Sequence, residues 1–376
     1  MDDLNVIHQQ LTGFALDLHD VATTFSSNAS RQLPGVVLPS GAAELMRTLA
    51  PAFEKFQNAV ATAHKQDVTT VATLGARLGG AKREYRTTDS GSSATLAAIQ
   101  SVGLSGAPAE SAEPQRFSGL NLPYLAPVED APAKVRNVVT AGIDLIAPFD
   151  EPLSRTIGIK PAADYLDPLV GDWEALQTVG ERIELLGIND HTASENIVGG
   201  TNWLQTGWTR LGSQAFGDKA NPLGETIAGR SWDFDAVSKI VGHAGASLER
   251  LVYNQSVELS SGLTRPMTFL RFTLPLGVWA QLIDLPMRGS QRSQIVTAAE
   301  ELKRSVKARH DTMTDLLDQV SSALSYTPDR NAPKFTAADF EVPAKVTPGA
   351  HVLNYGYGSN MWWQDKPVSD NGVLAV

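Results

Sequence analysis

The sequence contains no cysteine. That absence excludes disulfide scaffolds, thiolate-held zinc, iron–sulfur clusters and thiol catalysis together. It leaves the redox character of the compartment open. Basic charge is in the minority, with 31 Lys and Arg against 41 Asp and Glu and a net charge of −10. Nucleic acid is therefore excluded as the main partner, because phosphate binding needs clustered basic charge. Aromatic residues are sparse at 7%, yet the 42% hydrophobic content still suffices for a sizeable core. Long apolar runs are missing too. The most apolar window, Met267 to Met287, is interrupted by Arg271, Pro275, Asp284 and Pro286. A membrane-spanning helix needs about 20 mostly apolar residues, so the window reads as a buried helical segment. The opening MDDLNVIHQQLTGF carries acid where a signal peptide has a basic region, so no cleaved signal peptide is expected.

The motifs of common active sites are also lacking. There is no GxSxG elbow, no GxxxxGK[ST] loop, no HExxH and no strand followed by GxGxxG. The seven histidines are scattered. His310 and Asp311 read as boundary residues on a long helix. Asp233 and Asp235 in Trp232–Asp233–Phe234–Asp235 read as caps of a helix beginning there. Glu181 and Glu184, with Arg182 beside them, read as solvated charge rather than an acid–base pair. Gly356–Tyr357–Gly358 has no helix after it to make a phosphate cradle. No enzyme activity, no cofactor and no metal is expected.

What is present is helical periodicity. Leu4, Ile7, Leu11, Phe14, Leu18, Val21 and Phe25 recur by threes and fours, predicting a first helix that Ser26 to Ser40 breaks. Ser40 then stands as a cap for a second helix, with Glu44 in its first turn. Its stripe runs Leu45, Leu49, Phe53, Phe56, Val60, Ala63, Val71, Leu74 and Leu78, with His64 and Asp67 near it, and Pro51 kinks it or marks its true start. Two long helices joined by a short loop predict an antiparallel hairpin over 1–89. Such a hairpin has too little core to stand alone and needs further helices, from this chain or a partner. The Ser-, Gly-, Ala- and Pro-rich composition of 90–132 predicts a flexible linker, with local order near Phe117 to Tyr124. A second helical region is expected over 133–326, with helices at 135–146, 165–186, 191–216, 233–260, 267–285 and 291–325 and a turn at Gly187–Asp190. Residues 327–376, which include Trp362 and Trp363, are expected to be extended or disordered. No strand pattern stands out, so the fold class is all-α, an elongated bundle of two helical hairpins with extra C-terminal helices.

One short motif stands out by position. Tyr85–Arg86–Thr87–Thr88–Asp89 has the form Y-x-x-x-D at the end of the first hairpin. Tyr85 continues the apolar stripe of the second helix, and Asp89 lies one turn further on the same face. An aromatic and an acid so spaced suit a short docking element; the plainer alternative is that Tyr85 closes the bundle and Asp89 is solvated.

A helical hairpin ending in Y-x-x-x-D resembles substrates of actinobacterial type VII (ESX) secretion, in particular their EspC-type and PE-type N-terminal regions. Trp208–Thr209–Arg210–Leu211–Gly212–Ser213–Gln214–Ala215–Phe216 is similar to the W-x-G turn and A-F ending of the WXG class, although Arg210 stands where that class has glycine. Gly171–Asp172–Trp173–Glu174–Ala175–Leu176 is similar to the start of WXG-type modules. The order of hairpin, Y-x-x-x-D, linker and tryptophan-bearing helices resembles the EspB-like, PE–PPE-like arrangement over about 1–90 and 160–325. The resemblance implies a secreted or cell-surface, non-enzymatic protein of virulence-factor type, exported folded. It also implies that Tyr85, Asp89, Trp208 and Gly212 form a composite export signal. The implied partners are the secretion ATPase, a dedicated chaperone, further copies of the chain in an oligomer, and lipid or cell envelope. Three alternatives stay open: the delivery module of a polymorphic toxin, a pore-former using 267–287, and an enzyme with a site near His243 or His310.

Overall fold

The computed structural model describes residues 6–99, 113–209, 211–283 and 289–348, with the side chains of 89–99 left out. These residues are mostly helical. The first helix, α1, spans His8–Gln32 and buries Leu11, Phe14, Leu18, Val21 and Phe25, the stripe its three-and-four spacing predicts; Leu4 lies outside the described residues. A tight turn at Leu45–Leu49 precedes α2, Ala50–Ile99. Pro51 thus sits in the first turn of α2, where its missing N–H removes no helical bond, and Ser40 caps nothing. Phe53, Phe56, Val60, Val71, Leu74 and Leu78 are the buried stripe of α2.

Three short helices follow: α3 at Lys134–Ile146, α4 at Asp150–Ile157 and α5 at Pro161–Tyr165. Then come two long helices, α6 at Ala175–Gly207 and α7 at Leu211–Thr264, the latter 54 residues long. At 1.5 Å per residue α7 extends for about 80 Å. Phe14 meets Gly200 of α6, and Asn28 of α1 meets Asn189, so α1 runs antiparallel to α6. Phe25 packs against His64 while Leu18 lies near Gly75, so α1 and α2 are antiparallel as well. The opposite ends of α6 and α7 also meet, Gly180 against Gly242 and Gly217 against Gln205. A hairpin of β1, Pro266–Phe269, and β2, Phe272–Pro275, leads into α8, Leu276–Gln281, and α9, Gly289–Ala323, closes the helical part.

Several expectations change. The turn predicted at Gly187–Asp190 lies inside α6, and the chain reverses between α6 and α7 instead. The polar residues of 187–190 are engaged across helices rather than with their own backbone. Asn189 Nδ2 donates to the Phe25 carbonyl at 3.0 Å, and Asp190 is fully buried in an ion cluster. Trp232–Asp235 starts no helix but lies mid-α7, where buried Asp233 accepts two bonds from Arg330 at 2.5 and 2.8 Å. The apolar window expected to form a helix is a β-hairpin and the short α8; residues 284–288 lie outside the described residues. Thr and Phe alternate there, Thr268 with Phe269 and Phe272 with Thr273, which suits strands rather than a helix. Among the described residues no helix is long and apolar enough to cross a membrane.

The linker expected over 90–132 also differs where it is described. Residues 90–99 extend α2, helped by the helix formers Ala94, Leu96, Ala97 and Ala98, while 100–112 lie outside the described residues. Residues 113–132 form an extended strap bound to the bundle. The Gln115 N–H donates to the Gln9 carbonyl at 3.1 Å, and the strap passes so close to α1 that a Cβ on Gly13 would fall 1.7 Å from the Gln115 carbonyl oxygen. Phe117 N–H donates to buried Asp17 at 2.9 Å, and Asn121 exchanges two hydrogen bonds with Asn196. Polar residues in a loop signal solvent exposure on average, but here they satisfy the buried polar atoms of α1 and α6. The tail from Thr327 is extended as expected, yet it packs on α7: the Val346 N–H donates to Asn254 at 2.9 Å and the Phe340 carbonyl accepts from Ser247. The remainder of the tail, with Tyr355, Trp362 and Trp363, lies outside the described residues.

Candidate functional site

At one end of the bundle the chain start, the end of α2 and the α6–α7 turn converge. The Ile7 N–H donates to the Gly207 carbonyl at 2.8 Å, which pins the start of α1 to the turn. Trp208 leaves the helix in an extended conformation, φ −135° and ψ 113°. Its indole is buried on Phe216, with ring centroids 6.1 Å apart, and Phe216 in turn packs on Phe14. Tyr85, seven residues after buried Leu78 on α2, lies against the same cluster. The Trp208 indole N–H donates to the Tyr85 hydroxyl at 3.4 Å, a long bond by ordinary geometry. Gly212, at the start of α7, touches both rings: a Cβ there would lie 2.8 Å from Trp208 and 3.1 Å from the Tyr85 hydroxyl oxygen. Any side chain at 212 must therefore push the two aromatics apart.

Three of the four residues singled out in the sequence thus meet, although Tyr85 and Trp208 are 123 positions apart. Asp89 lies four residues beyond Tyr85 on α2, and the position of its side chain is outside the described set, as is Arg210. A groove of about 280 Å³ opens here between Leu74, Leu78 and Tyr85 on one side and Trp208 and Phe216 on the other. Exposed Arg77, Glu84 and Lys219 rim it. Its aromatic floor and charged rim suit an amphipathic peptide or helix from a partner better than a small polar substrate.

A second constellation sits at mid-bundle. His64 and Asp67 of α2, Asp190 of α6 and Arg230 of α7 are all buried. Arg230 Nε donates to Asp190 Oδ2 at 2.5 Å, and Arg230 Nη2 lies 2.7 Å from Asp67 Oδ2. His64 Nε2 is 2.8 Å from Asp190 Oδ1, without the alignment of a good hydrogen bond, and His64 Nδ1 has no partner among the described residues. Burial alone would push the Asp190 carboxyl up, but Arg230 and His64 outweigh it and hold it below its ordinary value. For Asp67 burial wins over Arg230, and its carboxyl is raised. Burial would depress the Arg230 guanidinium, yet Asp190 and Asp67 raise it. Phe25 and Phe234 enclose the imidazole, so the cluster has no open face for a substrate. It acts as a polar tie between α2 and the α6–α7 pair.

The polar interruption at His64 and Asp67 is visible in the sequence, but nothing there marks Arg230, and Asp190 falls in the expected turn. A matching signal was present, because α2 and α6 each carry polar residues in mid-stripe. Glu181 and Glu184 are exposed, as expected, and His310 is exposed on α9. His243 packs against Phe335 of the tail with ring centroids 4.8 Å apart, and its Nδ1 lies 2.8 Å from the Lys239 carbonyl. Among the described residues no group of three or more His, Asp or Glu side chains is arranged to hold a metal ion. No protein-family model matches the chain, and no curated protein or solved structure matches it.

Proposed function

We propose that this chain is an exported, non-enzymatic substrate of a type VII secretion system, with α1–α2 and α6–α7 as the two halves of a PE–PPE-like bundle. One observation carries this reading: Tyr85 and Trp208, distant in sequence, are in contact through their polar atoms at 3.4 Å, with Gly212 wedged against both. A composite signal of this kind exists only in the folded chain. It therefore suits a machine that accepts folded cargo. The Tyr85–Asp89 segment is then the element read by the secretion ATPase. The groove beside Trp208 is the surface for a dedicated chaperone helix, and the exported protein acts outside the cell or at its surface as an oligomer or envelope-bound factor.

The test is export from a host with a working type VII system. Wild type is expected in the culture filtrate, and Tyr85→Ala and an ATPase-deficient strain are expected to retain the protein in the lysate. Tyr85→Phe keeps the ring and should be exported. Retention of wild type inside the cell beside a secreted control overturns the reading.

A further inference from the structure

The tail from Thr327 lies along α7 as a bound peptide lies on a receptor. Arg330 seats its guanidinium on Asp233, with bonds of 2.5 and 2.8 Å. Ser247 Oγ donates to the Phe340 carbonyl at 2.5 Å. The Asn254 amide donates to the Ala344 carbonyl at 3.0 Å and accepts from the Val346 N–H at 2.9 Å. Asp233, Ser247 and Asn254 recur on the two-turn period of a helix, so they line one face of α7. The tail therefore runs in the same direction as α7. All three residues are at most 2% exposed, and each of them meets the tail. Between the ends, His243 packs on Phe335 and Phe340, with ring centroids 4.8 and 6.2 Å away. Near the last contact Lys345 pairs with Glu249 at 2.7 Å and lies 5.2 Å from the Tyr253 ring centre.

Two features set this contact apart from the packing of a fixed core element. Among the described residues no backbone–backbone hydrogen bond joins the tail to the bundle. Side chains of α7 hold it instead, and Ser247 and Asn254 read carbonyl and N–H groups that every extended peptide carries. The second feature is reversibility. Within 327–348 only Phe340 and Pro348 are buried. Beneath the tail, Asp233, Ser247 and Asn254 are polar, so water can replace it without leaving them orphaned. Asp329, just before Arg330, holds a left-handed φ of 59°, a conformation that a released tail need not keep. Charge is complementary at both ends, Asp233 and Glu249 on α7 facing Arg330 and Lys345. We propose that this face of α7 is a binding site for an extended peptide with a basic residue at each end and aromatic side chains between, and that the tail fills it as a tethered ligand. A partner's segment of that chemistry gains the site by displacing the tail. A helical segment is the poorer fit, because its backbone groups are already bonded internally and cannot meet Ser247 and Asn254. The site is separate from the groove beside Trp208, so the proposal stands independently of the secretion reading.

The test uses the full-length chain carrying Arg330→Ala and Phe340→Ala, which release the tail and leave α7 untouched. A fluorescent peptide of residues 327–348 is expected to bind this variant. It should bind wild type at least about tenfold more weakly, because the tethered tail competes at an effective concentration in the millimolar range. Adding Asn254→Ala to the released chain should weaken peptide binding about tenfold. A peptide with Arg330→Ala should lose about tenfold on the released chain and nothing further once Asp233→Asn is present, which ties the loss to that pair. A second peptide that keeps only the residues matching Arg330, Phe335, Phe340 and Lys345 should bind within about tenfold of the first. Circular dichroism of the released chain should show its helices intact. Loss of those helices, equal peptide binding to wild type and released chain, or no binding to either would each overturn the proposal. So would binding of the tail peptide with the second peptide excluded, which would make the tail a private latch rather than the occupant of a general site.

Discussion

The aromatic end and the polar centre of the bundle solve the same problem, joining α2 to the α6–α7 pair, with opposite chemistry. At the end, Tyr85, Trp208 and Phe216 make contact through rings and one long hydrogen bond, and a groove stays open beside them. At the centre, Arg230 is held by two buried carboxylates and no open face remains. The difference separates recognition from registry. An open aromatic end can be read by a partner without unfolding anything. A closed ionic cluster makes one alignment of the helices far cheaper than its neighbours, because a shift of one turn would bury charges unpaired.

The largest break in this comparison should come from Arg230→Met. It leaves Asp190 and Asp67 buried without their cation and should lower stability by about 3–5 kcal/mol in denaturant unfolding. Replacing His64, Asp67, Asp190 and Arg230 together with apolar residues of similar volume should recover most of that loss. A smaller effect is expected at the other end: Gly212→Val must separate Trp208 from Tyr85 and should cost about 1–3 kcal/mol, with loss of the groove. At the strap, Arg116→Ala should cost about 1 kcal/mol, since Asp17 is buried but keeps its bond from the Phe117 N–H.

Acid titration sharpens the contrast by sign. Asp190 is depressed in the fold, so its stabilisation is present above the unfolded carboxylate value of about 3.9 and is lost as pH falls through the lower folded value. Asp67 is raised, so it contributes most when protonated, and that contribution is lost as pH rises through the folded value. Asp190→Asn should therefore be destabilising at neutral pH, with the deficit against wild type shrinking in strong acid. The stability of Asp67→Asn relative to wild type should decline as pH is lowered through the raised value. The smallest effect is expected from Tyr85→Phe, which removes only the 3.4 Å bond and should cost less than about 1 kcal/mol. Chemical denaturation across pH measures all of these on one scale.

The helices with clean stripes were legible in advance. Leu11 to Phe25 and Phe53 to Leu78 are buried where their spacing places them, and α3 and α9 lie within a few residues of expectation. What misled was polarity and glycine inside long helices. Gly187 to Asp190 and Ser90 to Ser93 both read as breaks, yet the first is held by tertiary hydrogen bonds and the second continues α2. Trp232 to Asp235, polar enough to suggest the start of a helix, hid the length of α7 for the same reason. Local order near Phe117 to Tyr124 was expected, but the partners of the strap at 113–132 were not legible, because its polar residues look solvated until Asp17, Asn28 and Asn196 are seen paired with it.

Tyr85 and Trp208 could be singled out by position and type, but only the resemblance, not their spacing, joined them in one composite signal.

Local spacing decides the helical fold class, the apolar faces and the absence of thiol chemistry, because those depend on residue type and on intervals of three or four. Only the packed chain decides that Tyr85 meets Trp208, that Arg230 finds two carboxylates and that the apolar window folds as a hairpin with its tip outward. Each of these rests on partners remote in sequence, and the free energy that selects them appears only once water has been excluded between the helices.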